Sequence, residues 1–481
     1  MLIATQALRR KEKIETQRQG AHGRAQRLAE PVMMTIRNIT TFLYAVLLCR
    51  CGLIMSSRLC GYPFPVLLCV SASLRLNHFH NMTNVFVINS GSSSIKYQLF
   101  QWPSTQPVCT GLIERIGQTN ASIRHKAVVH GKEEVTTLTL NLPNHEAGLE
   151  EAVRLLTDAS TGVIKDPQAI EVVGHRIVHG GERYATATFI TAAVKEDIKK
   201  LFSLAPLHNP AGYTGIEVAE KLFTNAKQVA VFDTAFHQTM PEYAFRYAIP
   251  TSLYTEQGIR VYGFHGTSHH YVTTQAMEYL QNSAAKLISI HLGNGCSMAA
   301  VVGGTCIDTS MGFGPLAGLV MGTRSGDIDP SVIFYLINEM HRTPDEVSTL
   351  LNKQSGMLGL TGYVDMRDVN NKVAQGDKEA EIACELYAYR IQKYIGAYAA
   401  AMNGLDAIIF TAGVGENDSS MRKRVCSNMD YFGMTINDEK NTARASGIQE
   451  INTADARTKV LVIPTNEELE IARQCFEVLA V

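Results

Sequence analysis

The sequence predicts an α/β fold, on three observations. Short apolar runs of strand character alternate with stretches of helical spacing, the pattern of that class. Of 481 residues, 46% are hydrophobic and 19% charged, ordinary fractions for a globular chain, which excludes disorder throughout and fibrous structure. The core strands end in polar or Gly-rich motifs, and ligands of α/β sheets gather at strand carboxyl ends, so the motifs point to one composite site. At roughly 150 residues per domain, the length allows about three domains or two large ones.

The elements follow in order from Met82. Residues 85–88 form a short apolar strand, and residues 95–100 alternate Ile95, Tyr97 and Leu99 with polar positions, as a half-exposed strand does. The Gly- and Ser-rich stretch 90–94 between them predicts a hairpin. Leu149, Ala152, Leu155 and Leu156 recur at helical spacing, which predicts a helix over 145–158. Further core strands are predicted at 170–173, 229–232, 287–290, 407–410 and 460–463.

Residues 1–81 differ from the rest. They hold eleven Lys and Arg against three acids, a charge of +8, and leave −9 on the remaining 400 residues. That acidic body excludes nucleic acid as the main partner, because phosphate backbones need a basic face. The apolar runs 42–49 and 62–70 fall short of the roughly 18 residues of a membrane span. The segment is expected to lie outside the working protein, disordered or not translated, with a start at Met82; signal, transit and anchor roles are the alternatives. Six cysteines are scattered over the body without CxxC spacing, which suits a reducing cytoplasm.

Each motif has more than one reading on its own. Asn89-Ser-Gly-Ser-Ser-Ser-Ile-Lys96 follows a strand: Ser94, backbone N–H groups and Lys96 suit phosphate oxygens, or the segment is only a turn. Arg176 in Gly-His-Arg-Ile-Val-His-Gly-Gly-Glu suits bidentate contact to phosphate or carboxylate, or a structural ion pair. Alternation places Arg176 and Val178 on one face. Asp233, just past a strand end, suits Mg²⁺, orientation of a nucleophile, or a helix N-cap. Eight of fifteen histidines lie between His175 and His291, yet no HExxH occurs, so active-site donors are favoured over a zinc centre. Gly312 to Ala317 matches GxGxxA, but Pro315 lies inside it, no clear strand precedes it and no acid follows at the ribose-binding distance. Arg324 lies between glycines in Met-Gly-Thr-Arg-Ser-Gly-Asp, where backbone can approach a ligand. Thr411 to Asn417 suits a nucleotide face or a Gly-rich turn. Glu467 opens a terminal helix, where acids are ordinary.

Taken in order, the motifs are far more specific. From about Asn84 to about Leu479 the chain resembles the acetate kinase (acetokinase) family. The matching segments include VINSGSSSIKYQL, GHRIVHGGERY, APLHNPAGY, VFDTAFHQTMP, YGFHGTSHHYV, HLGNGCS, MGTRSGDIDP, IIFTAGVGEN and IPTNEE. The resemblance implies two ribonuclease-H-like domains of the sugar kinase, Hsp70 and actin superfamily, with the site in the cleft between them. The implied domains are 82–235, completed by 467–481, and 236–466. It also implies a homodimer and Mg²⁺-dependent transfer between ATP and acetate, giving ADP and acetyl phosphate, with Mn²⁺ able to substitute.

The resemblance assigns roles by position. Arg176 and Arg324 would hold acetate and the transferring phosphoryl group, and His265 would donate to its oxygens. Asp233 and Glu467 would organise Mg²⁺, with Asn89 near the phosphates. Val178, Leu207, Phe264 and Pro315 match the pocket for the acetate methyl. Lys96, Ser94, His208, His291, Leu292, Gly293, Asn294 and Gly295 match phosphate-side positions. Asp365, Met366, Arg367, Gly413, Val414, Gly415, Glu416 and Asn417 match the nucleoside side. Related propionate kinases usually carry Ala at the position of Val178, so acetate is the expected substrate.

The chain departs from the family pattern at four places. Gly314 and Ala317 stand where Thr and Glu are usual, Gln354 where Glu is, and Gly212 where Asn is. Loss of the acid at 317 is expected to alter an ion pair beside Arg324.

Overall fold

The computed structural model describes residues 82–206, 208–443 and 446–480. The expectations for residues 1–81 and for Leu207 lie outside the described residues. Residues Met82–Val481 form one unit built on two mixed sheets.

The first sheet comprises β1 Thr83–Ser90, β2 Ser94–Trp102, β3 Pro107–Glu114, β4 Ala121–Val129, β5 Lys132–Leu140, β6 Val172–Ile177, β7 Thr188–Phe189 and β8 Lys227–Phe232, in the order β5-β4-β3-β2-β1-β6-β8-β7. The second comprises β9 Lys286–Leu292, β10 Cys296–Val302, β11 Thr305–Thr309, β12 Ala407–Thr411, β13 Gln449–Glu450 and β14 Lys459–Val462, in the order β11-β10-β9-β12-β14-β13. One plan is repeated. Three antiparallel strands (β1–β2–β3 or β9–β10–β11) are joined on the free side of the first by two parallel strands, β6 and β8 or β12 and β14. The repeat is the duplicated fold that the resemblance implied.

The helices used below are α1 His145–Leu156, α2 Asn209–Leu222, α3 Gly266–Leu280, α4 Pro330–Asn338, α5 Met366–Ala374, α6 Lys378–Met402, α7 Ala412–Asn417 and α8 Glu467–Ala480. The parallel strands are mostly apolar and almost wholly buried because helices cover both of their faces, with His175 and Arg176 near the end of β6 as exceptions in type. On β1, Phe86 and Ile88 face α1 and α2, while Val85 and Val87 face Ile471, Ala472 and Cys475 of α8. The last helix therefore returns to the first sheet. In the second sheet, Leu287 and Ile409 pack with Val272 and Ala276 of α3, and Ile288 and Ile408 pack with Tyr387, Ile391 and Ile395 of α6. The outer strand β5 carries Lys132, Glu133 and Glu134, charges that guard an exposed edge. Among the described residues no helix is long and apolar enough to cross a membrane.

The hairpin at 90–94 forms as expected, with Ser90 opposite Ile95. Two expectations need correction. The strand placed at 170–173 begins only at Val172, because a 3₁₀ turn over Pro167–Ala169, capped by Asp166, runs into Ile170; Ile170 is buried all the same. A strand, β11, does precede Gly312, though a long loop rather than a helix follows it, so the dinucleotide fingerprint still lacks its context.

α8 can lie close to β6 only because residue 174 is glycine. A Cβ there would stand 2.6 Å from Cys475 Sγ and 2.8 Å from Ile471 Cγ2. Gly174→Ala should lower unfolding stability by about 1–3 kcal/mol in urea titrations. Adding Cys475→Ala should recover part of the loss; simple additivity of the two would show that the helix can give way.

Candidate active site

The parallel strands of both sheets end at one cleft. Arg176 stands near the end of β6, Asp233 follows β8, Asn89 lies near the end of β1 and Glu467 opens α8. Arg176 grips Asp233 with a fork: Nε lies 3.1 Å from both carboxylate oxygens and Nη2 2.7 Å from Oδ2. Its Nη1 reaches Asn89 Oδ1 at 3.4 Å and Glu467 at 3.7 Å. Asp233 is almost fully buried and also accepts from Thr267 Oγ1 at 3.2 Å. It is not a helix cap. Burial opposes the charge of Arg176, but Asp233 and Glu467 outweigh it and hold the guanidinium well above its ordinary value.

The carboxylates are crowded. Burial pushes Glu467 up; Arg176 opposes this, while Asp233 and Glu468 add to it. Glu468 pairs with Lys96 at 2.8 Å through one oxygen, and its other oxygen is buried without a hydrogen-bond partner. Asp233, Glu467 and the Asn89 amide are hard oxygen donors, the kind Mg²⁺ prefers, and a divalent cation would relieve this crowding. Among the described residues no three His, Cys, Asp or Glu side chains are placed to hold a metal by themselves. A cation here would draw remaining ligands from substrate phosphates and water, as Mg²⁺ commonly does.

Arg324 is the opposite case. Its Nη1 donates to the Pro315 carbonyl at 2.7 Å, and among the described residues no carboxylate forms an ion pair with it. The absence of an ion pair at Arg324 among the described residues agrees with the expected effect of Ala317 in place of an acid. Burial lowers its pKa, so it is a desolvated cation in want of an anion. His265 Nε2 and Arg324 Nη1 converge on Gly295: a Cβ there would lie 3.4 and 3.6 Å from them. His265 has a left-handed backbone, φ 57°, where the chain turns into α3. Its ring stacks on His291, with centroids 4.2 Å apart. Burial, then His291, His269, Arg176 and Arg324, hold His265 well below the usual value. His208 is lowered by burial and by the same two arginines.

Val178, just past β6, packs on the second sheet's core, which includes Phe264. Pro315 lies on the loop that carries Arg324. Gly212 is pressed on β6: a Cβ would stand 3.0 Å from Ile177 Cδ1, so the usual Asn would need the Ile177 side chain to shift by a few tenths of an ångström.

Eight of the nucleotide-side residues line one cavity of about 900 Å³: Gly293, Asn294, Asp365, Met366, Arg367, Gly413, Val414 and Asn417. Asp365 caps α5 and holds Arg367 in a bidentate pair. The other assigned residues stand elsewhere. Leu292 is fully buried in the core. Gly295 faces His265 and Arg324. Gly415 is packed against Phe410 and β9. Glu416 accepts from the backbone N–H groups of Ala412 and Thr465, which ties α7 to the β14–α8 link. Lys96 is committed to Glu468. The Gly-rich turn expected after β12 is a short helix, α7, entered through Ala412 at φ 65°.

Sequence reasoning missed Thr267, Ser268 and Ser297, which bond Asp233, His291 and His265, and Asn370 and Tyr387 of the cavity. The three hydroxyl residues lie inside the quoted motifs, but a small polar residue carries no chemistry until its partner is known.

A family model described as the acetokinase family matches residues 84–473. The chain is 56% identical over 395 residues to acetate kinase of Flavobacterium johnsoniae, covering 82% of this chain and 99% of that one. It is 49% identical over 398 residues to acetate kinase of Methanosarcina thermophila, covering 82% and 97%. Among solved structures, acetate kinase of Porphyromonas gingivalis matches with a TM-score of 0.76 at 40% identity, covering 82% and 100%. A propionate kinase from Francisella tularensis matches with a TM-score of 0.76 at 42% identity, with the same coverage.

The buried histidines predict acid sensitivity. Burial holds His237 and His291 at about 4, and His265 and His269 well below 6.5. As pH falls from roughly 6.5 toward 4, the unfolded chain gains protons that the folded chain refuses. The stability present above pH 6.5 should therefore drain away through that window. Urea titrations between pH 7.5 and 4.5 should show it; a flat profile would mean that these rings protonate in the folded protein.

Proposed function

The chain belongs to the acetokinase family, and from that premise we propose that this phosphotransferase carries the γ-phosphoryl group of ATP reversibly to acetate, giving acetyl phosphate and ADP. The observation that carries the reading is the pairing pattern: Arg176 is paired with Asp233, while Arg324 is half-buried, without a carboxylate ion pair among the described residues, and its Nη1 lies with His265 Nε2 beside Gly295.

The cleft suits direct in-line transfer. Acetate is already an anionic nucleophile, so no general base is needed. Its oxygen attacks the γ-phosphorus as the bond to the ADP oxygen breaks, and that electron pair leaves with ADP. Positioning and charge neutralisation carry most of such a reaction. Arg324 offsets the repulsion between the two anions, His265 donates to the phosphoryl oxygens, and Arg176 orients Asp233 and reaches toward Glu467. Mg²⁺ held by Asp233 and Glu467, with Asn89 beside them, would supply charge neutralisation at the ATP phosphates; Mn²⁺ offers the same chemistry. The nucleoside fits the cavity at Asp365–Arg367 and α7. Val178, Phe264 and Pro315 bound the acyl methyl.

The two sheets with their helices serve as the two domains, 82–235 with 467–481 and 236–466, on either side of the cleft. Homodimerisation uses the outer faces of α4 and α6, where Val332, Phe334, Tyr335, Ile382, Leu386 and Tyr389 are solvent-exposed in the single chain. The buried free thiols of the body suit action in a reducing cytoplasm.

With ATP, Mg²⁺ and acetate, the purified protein should form acetyl phosphate, trapped as hydroxamate, and chelation of divalent cations should stop it. Arg324→Ala should cut turnover by about 10³-fold or more at near-native thermal stability; equal loss of both would make the arginine structural. A second reading, propionate as substrate, is favoured by the propionate kinase likeness. Val178→Ala should raise kcat/KM for propionate relative to acetate by about tenfold. No change in that ratio would remove Val178 from the acyl pocket.

A further inference from the structure

We infer that Ser297 is a positioning residue that sets the tautomer of His265, so that its imidazole presents an Nε2–H donor to the cleft. The inference rests on the reading of His265 as a donor to the phosphoryl group and extends it to the residues that make the ring a donor.

The geometry is a chain of four side chains. Ser297 Oγ lies 2.8 Å from His265 Nδ1 and 2.8 Å from His269 Nε2. His269 Nδ1 lies 2.8 Å from Ser289 Oγ. Ser289, Ser297 and His269 are fully buried, out of reach of bulk water. A hydroxyl has one proton, and a neutral imidazole has one N–H. An arrangement in which Ser297 accepts from both rings leaves its own buried hydroxyl proton without an acceptor, so two directions remain.

In the first, Ser289 donates to His269 Nδ1, His269 Nε2–H donates to Ser297, and Ser297 donates to His265 Nδ1. His265 must then carry its proton on Nε2. In the second, every bond reverses: His265 Nδ1–H donates to Ser297, and a bare Nε2 lone pair faces the cleft. The second direction fails at both ends. Among the described residues Ser289 has His269 as its one hydrogen-bond partner, so reversal leaves a buried hydroxyl proton without an acceptor. At the other end it aims a lone pair at anionic phosphoryl oxygens. The first direction satisfies every donor within the chain and leaves only His265 Nε2–H, which faces the cleft. Burial keeps both rings neutral, which the scheme requires.

A second branch repeats the device. Thr465 Oγ1 lies 2.8 Å from Ser268 Oγ, which lies 2.8 Å from His291 Nδ1. Run in the same direction, it leaves His291 Nε2–H free beside Gly293, where a Cβ would lie 3.6 Å from that nitrogen. The two stacked rings then offer parallel donors to one anion.

The test reads tautomers directly. In the full-length protein labelled with ¹⁵N-histidine, long-range ¹H–¹⁵N correlation spectra should show His265 with a protonated Nε2 and a bare Nδ1, and Ser297→Ala should mix the two forms. In the acetate assay, Ser297→Ala should lower kcat about tenfold with little change in either KM, and should cost nothing further in a His265→Ala background. Ser289→Ala, at the far end of the chain, should mix the tautomers in the same way and decides the matter if Ser297→Ala does not fold. A wild-type His265 protonated on Nδ1, or losses from Ser297→Ala and His265→Ala that multiply, would overturn the inference. Should the wild-type protein fail to phosphorylate acetate, the proposed function falls, while the tautomer spectra still decide the role of Ser297.

Discussion

A buried carboxylate needs cations or hydrogen-bond donors around it, and the cleft is organised around one that has both. Asp233 is buried at the end of β8, where the fork of Arg176 neutralises it and Thr267 adds a third contact. Each partner comes from a different element: Arg176 from β6, Thr267 from α3. The backbone N–H of Gly266 also donates to the Asp233 carbonyl at 2.9 Å, so this one residue joins the first sheet to the helix that covers the second. Removing either charge would leave the other buried and unpaired, a loss of several kcal/mol.

The charge left over follows from this pairing. Arg176 is spent on Asp233, so it is fixed in place and reaches Glu467 only at 3.7 Å. Arg324 has the Pro315 carbonyl and the Met321 sulfur as partners, and among the described residues no carboxylate pairs with it. One side of the cleft therefore holds crowded carboxylates that favour a divalent cation, and the other holds an uncompensated cation that favours an anion. The proposed phosphate-bearing substrate and its metal would satisfy both at once. The neutral histidines between them add donors without adding charge, because burial and mutual proximity keep them unprotonated.

Much of this was legible in the sequence, for identifiable reasons. The hairpin at β1–β2 and the parallel strands announce themselves because buried strands need apolar residues and tight turns need Gly and Ser. Asp233, Arg176 and Arg324 stand out because charged residues beside strand ends have few structural uses. Ser297, Ser268 and Thr267 were not legible, since each acts through a partner many residues away. Nor was the burial of Leu292, or the diversion of Glu416 and Lys96 into structural contacts: neighbours in a motif share a backbone but not a direction. At residue 317 the sequence suggested an altered ion pair beside Arg324, and there Arg324 donates to the Pro315 carbonyl.

The sequence by itself determined the fold class, the order of the elements and the residue types that meet at the cleft, because burial patterns and turn chemistry are local. The tertiary structure decided which of those residues are paired and which are free. Arg176 and Arg324 look alike in sequence, and only long-range packing gives one a carboxylate and leaves the other without. It also decided the direction of hydrogen bonding behind His265, since that depends on a buried serine on the strand next to the one that carries Ser297. Charge compensation and proton placement are properties of neighbours in space, and they are settled only when distant segments of the chain meet.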